Sequence, residues 1–198
     1  MIQCILFDLS EVLIAGLVGV EVRLASLLSV PEDVILPGLG GRVFETFLKG
    51  GITEDEYLEH VIARTGWAVE KSKLKALIRA NFHNRIEGSL EVVRELPPRV
   101  DVFLHSDHAR EWVAYIKSIH PFIGMFKRTY FSYELGSLKT EPETFWQVLE
   151  AIGTPPRNCL LVDDNSQNIA AAQSLGILGI QFQNAVQLGE ELKQWDIL

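Results

Sequence analysis

Two short runs, Ile5-Leu6-Phe7 and Leu160-Leu161-Val162, constrain the fold more than anything else in the chain. Each is uninterrupted apolar sequence that ends on acid, Asp8 in the first case and Asp163-Asp164 in the second. A strand with one wet face alternates apolar and polar residues, whereas a strand apolar throughout is covered on both faces, as in the centre of a parallel sheet. Three further strand-like runs cover residues 99–105, 128–132 and 177–182, and the first two extend over 2–9 and 159–162. Between the later runs the apolar period turns helical. Residues 109–119 carry Trp112, Val113 and Ile116; residues 142–152 carry Phe145, Val148, Leu149 and Ile152 and stop at Gly153; residues 166–175 stop at Gly176. A glycine just past the last periodic residue is the expected helix stop. Strands alternating with helices predict an α/β fold with a parallel sheet and helices on both faces.

The stretch 15–88 breaks that alternation and contains no convincing strand. Thr53-Glu54-Asp55-Glu56 is a capping box followed by Tyr57, Leu58, Val61 and Ile62 at helical spacing. Residues 73–82 predict another amphipathic helix and 42–48 a short one. We therefore expect an all-helical insertion, a cap over 15–88, with the core built from 1–14 and 89–198 and Gly88-Ser89 as the point of return. Gly38-Leu39-Gly40-Gly41 follows a proline rather than a strand and does not keep the spacing of a nucleotide-binding loop, so it predicts a connection between cap helices.

Composition narrows the class of partner. A net charge of −8 and a pI near 5.1 argue against nucleic acid. No apolar run is long enough to span a bilayer, and no signal peptide is evident, so a cytoplasmic protein without a membrane partner is expected. The two cysteines, Cys4 and Cys159, have no metal or redox spacing and are expected to be buried and reduced.

Ligands of open α/β sheets bind outside the carboxyl ends of the strands. Two strands that deliver Asp8 and Asp163-Asp164 to that edge suit a hard cation, and through it a phosphate. Taken alone, an aspartate after a strand is usually a turn or cap residue, and Asp163-Asp164-Asn165-Ser166 would cap the helix that follows. Four separate motifs favour more than that. Phe7-Asp8-Leu9-Ser10-Glu11-Val12-Leu13, Leu104-His105-Ser106-Asp107, Lys139-Thr140-Glu141-Pro142-Glu143-Thr144-Phe145 and Asp163-Asp164-Asn165-Ser166-Gln167-Asn168-Ile169 stand in this order along the chain. The constellation resembles the haloacid dehalogenase-like (HAD) hydrolase superfamily, in particular its small phosphatases with a helical cap after the first strand.

The resemblance implies a Rossmann-like sheet and a role for each motif. Asp8 would be the nucleophile that forms an aspartyl-phosphate. A magnesium ion would be held by Asp8, the Ser10 carbonyl and Asp164, with Asp163 in its outer sphere and Asn168 steadying it. Lys139 would balance the charge of nucleophile and phosphoryl group. Either His105 or Ser106 would hold phosphate oxygens. The substrate would be a small phosphorylated metabolite, with sugar phosphates among the candidates. The resemblance also sets the first and fourth motif strands side by side. Cys4 and Cys159 each precede an aspartate by four residues, so both thiols would meet on one face, roughly 5 Å apart.

Two departures bear on activity. The second residue after the nucleophile, usually an aspartate that acts as general acid and base, is Ser10, which cannot do that work at neutral pH. Glu11 is the adjacent substitute, though a one-residue shift changes where a side chain points. In the second motif the natural alignment puts His105 at the hydroxyl position and a shift of one puts Ser106 there. Besides a phosphatase, the chain can therefore be read as a non-catalytic phosphate- or partner-binding relative, or as a carbon–halogen hydrolase, which needs no metal and against which the Asp163-Asp164 pair argues.

Overall fold

The computed structural model describes residues 1–198. Five parallel strands, β1 (Cys4–Phe7), β2 (Asp101–Ser106), β3 (Arg128–Phe131), β4 (Cys159–Asp163) and β5 (Leu178–Gln181), form one sheet in the order β3-β2-β1-β4-β5. The two apolar runs of the sequence are the central pair of that order, with Ile5 opposite Leu160 and Phe7 opposite Val162. Every residue of β1 and β4 is buried, which is why neither alternates.

In chain order the helices are α1 (Val20–Leu28), α2 (Ile35–Leu39), α3 (Arg42–Leu48), α4 (Glu54–Thr65), α5 (Lys71–Asn81), α6 (Ser89–Glu95), α7 (Arg110–Ile119), α8 (Ser132–Leu135), α9 (Pro142–Ile152), α10 (Ser166–Ser174) and α11 (Ala185–Gln194). The sheet separates two apolar clusters. The smaller sets Leu6, Phe103 and Leu161 against Phe145, Val148 and Leu149 of α9 and Ile169 of α10. The larger joins Ile5, Phe7 and Val162 to α7, α11 and the helices α1–α5 in one cluster of 40 buried residues.

Residues 15–88 contain the five helices α1–α5 and no strand. Two segments link them to the sheet side, and they bond to each other: the Ala15 amide donates to the Asn84 carbonyl at 2.8 Å, and the Ile86 amide to the Leu13 carbonyl at 3.0 Å. The Thr53 hydroxyl and Glu56 carboxylate close the expected box on α4. Gly38 falls inside α2, while Gly40 and Gly41 join α2 to α3. Five helices, α1, α2, α6, α8 and α11, are not expected from the pattern, and α8 begins at Ser132, where the pattern ends a strand. Cys4 and Cys159 face each other in register, unbridged and buried, with their sulfurs 2.9 Å apart. That contact and burial both push the Cys4 thiol up, away from ionisation.

Candidate active site

β1 and β4 run out at the same level, so Asp8 and Asp163 leave the sheet side by side and Asp164 follows. One carboxylate oxygen from each of the three lies within 4.8 Å of those of the other two. Between Asp8 and Asp163 sits the ammonium of Lys139, 2.8 Å from Asp8 Oδ1 and 2.5 Å from Asp163 Oδ2. Lys139 is 1% exposed. Burial alone would push its ammonium down, but Asp163, Asp8 and Asp107 together hold it above its ordinary value. It reaches the site from the turn before α9, where Asp107 fixes the Lys139 amide with both carboxylate oxygens at 3.1 Å.

Asp163 is fully occupied. Besides Lys139 it accepts from Asn168 Nδ2 at 3.0 and 3.1 Å and from the Asn165 amide at 2.9 Å. Asn168, one turn into α10, thus acts on the cluster through Asp163. Asp164 is freer, with no side-chain partner, and its carboxyl is pushed up to about 6 by burial and then by the charges of Asp8 and Asp163. Asp107 is pushed up to about 7, chiefly by burial. Three crowded carboxylates against one ammonium leave negative charge without an answer.

Asp8, Ser10, Glu11, Ser106, Lys139, Asp164 and Asn168 line a single cavity of about 260 Å³ at this edge, together with Asp107, His108 and Trp112. The Ser106 hydroxyl is buried there without a hydrogen-bond partner. Its neighbour His105 does not line the cavity. It lies beneath, fully buried, with Nε2 3.3 Å from the Thr144 hydroxyl and its ring edge-on to Phe145 at 5.2 Å. Burial holds it uncharged, far below the usual histidine range. Of the two second-motif candidates, Ser106 faces the cavity and His105 packs beneath it against α9.

Glu11 has a left-handed backbone, φ 59°, and its carboxylate accepts from the amides of Gly16 at 2.7 Å and Val18 at 3.2 Å. It ties down the loop after β1. Ser10 is also engaged: its hydroxyl lies 2.8 Å from Nε2 of His108. His108 is 2% exposed and is depressed to about 3 by burial and then by Lys139. In the sequence His108 suggests at most a metal cluster with His105 and Asp107, which its spacing argues against, and 98 residues separate it from Ser10. The one available signal was its position just beyond the carboxyl end of β2. Phe44, Leu48 and Phe82, which wall the cavity from the helical side, carry no signal at all.

No family model matches the chain. It is 24% identical to flavin mononucleotide hydrolase 1 of Arabidopsis thaliana over 98% of this chain and 77% of the relative. A HAD family enzyme from Bacteroides thetaiotaomicron, crystallised with magnesium and inorganic phosphate, superposes with a TM-score of 0.77 at 24% identity, covering 93% of this chain and 96% of that one. The L-2-haloacid dehalogenase of Xanthobacter autotrophicus superposes with a TM-score of 0.70 at 18% identity, over 100% of this chain and 85% of its own. The chain thus has the fold of these HAD-family enzymes, and its four motifs converge on one edge of that fold's sheet.

Proposed function

We propose that this chain is a magnesium-dependent phosphohydrolase that acts on small phosphomonoesters through an aspartyl-phosphate on Asp8. The observation that carries the reading is the cluster of Asp8, Asp163 and Asp164 around Lys139, with a buried, unpartnered Ser106 hydroxyl facing the same cavity. Magnesium fits the donors. Asp163 is taken by Lys139 and Asn168, which leaves the hard oxygens of Asp8 and Asp164, with the Ser10 carbonyl, for the ion. The upward push on Asp164 marks charge that a cation would neutralise. Magnesium and phosphate in the Bacteroides enzyme support the assignment. Bound there, the ion would screen the phosphate from the carboxylates.

The residues divide the remaining work. Asp8 supplies the attacking oxygen, and Lys139 holds that carboxylate in place and answers the charge that builds on the phosphoryl group. Ser106 donates to a phosphate oxygen, and Asp163 and Asn168 keep Lys139 oriented. We read residues 15–88 as a cap that closes the cavity from above. A reducing compartment such as the cytoplasm suits the free, buried cysteines; no helix is long and apolar enough to cross a membrane. The sequence resemblance suggests sugar phosphates within the substrate class, and the Arabidopsis relative's name suggests flavin mononucleotide.

Ser10 favours a second reading, a phosphate binder without turnover, because its hydroxyl is not a general acid and is already bonded to His108. Phosphate release from p-nitrophenyl phosphate, with and without magnesium, separates the two. Turnover that requires magnesium and disappears in Asp8→Asn supports the hydrolase. Magnesium-dependent phosphate binding by calorimetry with no turnover supports the binder.

A further inference from the structure

The helical segment contributes six residues to the cavity, Gly16, Leu17, Val18, Phe44, Leu48 and Phe82, and none has a polar side chain. Trp112 completes this wall from α7, and its one polar atom is withdrawn: the indole N–H donates to Glu54 at 2.9 Å, buried between α4 and α7. The polar side chains of the cavity all lie at the sheet edge, where Ser106 and Asp164 are left for the phosphate and the ion, Asn165 caps α10 and Asn168 holds Asp163. Ser10 faces His108, Glu11 holds the Gly16 and Val18 amides, and Asp107 holds the Lys139 amide. Lys139 is the sole basic side chain lining the cavity, and it is committed to Asp8 and Asp163.

A phosphate bound at the sheet edge therefore projects its alcohol against hydrocarbon. Hydroxyls on that alcohol would be buried without partners, and an unpaired buried hydroxyl is costly. A second anionic group would meet no cation. The volume, about 260 Å³, lies just below the ~300–1,000 Å³ usual for small-molecule sites, which suits a compact alcohol. We infer that the substrate is the phosphomonoester of a compact apolar alcohol, aromatic or cycloaliphatic, rather than a sugar phosphate or a nucleotide. This rests on the phosphohydrolase reading and adds to it the chemistry of the leaving group.

Cyclohexyl phosphate and myo-inositol monophosphate test it, because they share a ring and a secondary alkyl leaving group and differ in the hydroxyls. We expect kcat/KM for cyclohexyl phosphate to exceed that for the inositol ester by about 100-fold, the scale on which an apolar pocket rejects buried hydroxyls; flavin mononucleotide should also be the poorer substrate. Equal rates, or preference for the polyol or the nucleotide, would overturn the inference. A binding arm keeps the substrate question separate from catalysis. With magnesium present, calorimetry should show cyclohexylphosphonate binding at least about tenfold more tightly than methylphosphonate, since only the first reaches the apolar wall. Equal affinities overturn the inference whether or not the protein turns over. Absence of turnover on p-nitrophenyl phosphate and on both ring esters overturns the hydrolase reading alone, and the phosphonates then decide the ligand class.

Discussion

At the scale of single residues the site is decided by what each polar group has left to give. Ser10 stands where an acid is missing and Glu11 is the adjacent substitute, and both are engaged elsewhere, Ser10 with His108 and Glu11 with two loop amides. Ser10→Asp returns a proton donor beside the leaving oxygen. Turnover of alkyl phosphates should rise by up to about 100-fold and that of p-nitrophenyl phosphate much less, since loss of a general acid costs about 10²–10⁴ and nitrophenolate leaves unaided. Parallel progress curves on the two substrate types measure this, and an equal gain on both would point to repacking instead. His108 makes a second prediction. Its folded pKa is about 3 against an ordinary 6.5, so the unfolded chain binds the proton first, and the stability this burial contributes is present above about pH 6.5 and lost as pH falls towards 3. Between pH 7 and 5 the loss is about 2 kcal/mol. Asp107, raised to about 7, works in the opposite direction over the same range. The readable quantity is therefore the difference between wild type and His108→Gln in denaturant titrations at the two pH values; a constant difference would refute the assignment. The motifs made Asp8, Lys139, Asp163 and Asp164 legible because each stands at a strand end or helix start. His105 against Ser106 was not legible, since which side chain turns into the cavity depends on how β2 ends, and the packing of Thr144 and Phe145 against His105 comes from α9.

At the scale of elements, Glu54 joins the helical segment to the sheet side. It is 2% exposed, accepts from Trp112 of α7 and from Arg79 of α5, and lies 3.4 Å from the Lys75 ammonium. Glu54→Ala strands the Trp112 N–H and frees Arg79 to reach water. Because Arg79 is a quarter exposed, the cost should fall near or below the lower end of the roughly 3–5 kcal/mol for breaking a buried pair. Chemical denaturation reads that loss, and a change within about 0.5 kcal/mol, as for an ordinary surface site, would show that the contact carries no load. Phe47 sits in the same seam, stacked on Tyr57 at 4.6 Å and edge-on to Trp112 at 5.1 Å. What the sequence revealed at this scale followed the strength of local signals. β1 and β4 were visible as apolar runs, α4 from its capping box, and α9 from Pro142 and Gly153 at its ends. The unexpected α1 and α6 begin at Gly19 and Gly88, both with positive φ and neither with a side-chain cap, so their starts are set by tertiary contacts. α11 was readable in principle, because Asn184 accepts from the Gln187 amide in the usual N-cap manner.

At the scale of the whole molecule, sequence organisation and physical organisation part company. Composition and periodicity suggest a core with an inserted cap, yet one apolar cluster of 40 residues runs from Ile5 and Phe7 through Phe47, Tyr57 and Phe82 to Trp112 and Leu188. The aromatic rings of Phe44, Phe47, Tyr57 and Phe82 on the helical side all lie within about 6 Å of another ring in the seam, and Trp112 of α7 joins them. Lys49 and Glu141 form an ion pair across the same boundary. Elements that share one core unfold together, because neither side keeps its apolar surface covered when the other melts. Thermal unfolding of the intact chain should therefore be a single transition, with far-UV and tryptophan signals coinciding. Magnesium with inorganic phosphate should shift both signals upward by the same amount, as mass action on one folded state requires. A peptide of residues 15–88 alone should lack cooperative unfolding, since Phe47, Tyr57 and Phe82 would lose Trp112 and the sheet. Two resolved transitions in the intact protein, with ligand raising only one of them, would mean that the helical segment is a separate folding unit and that the shared cluster does not couple it to the sheet.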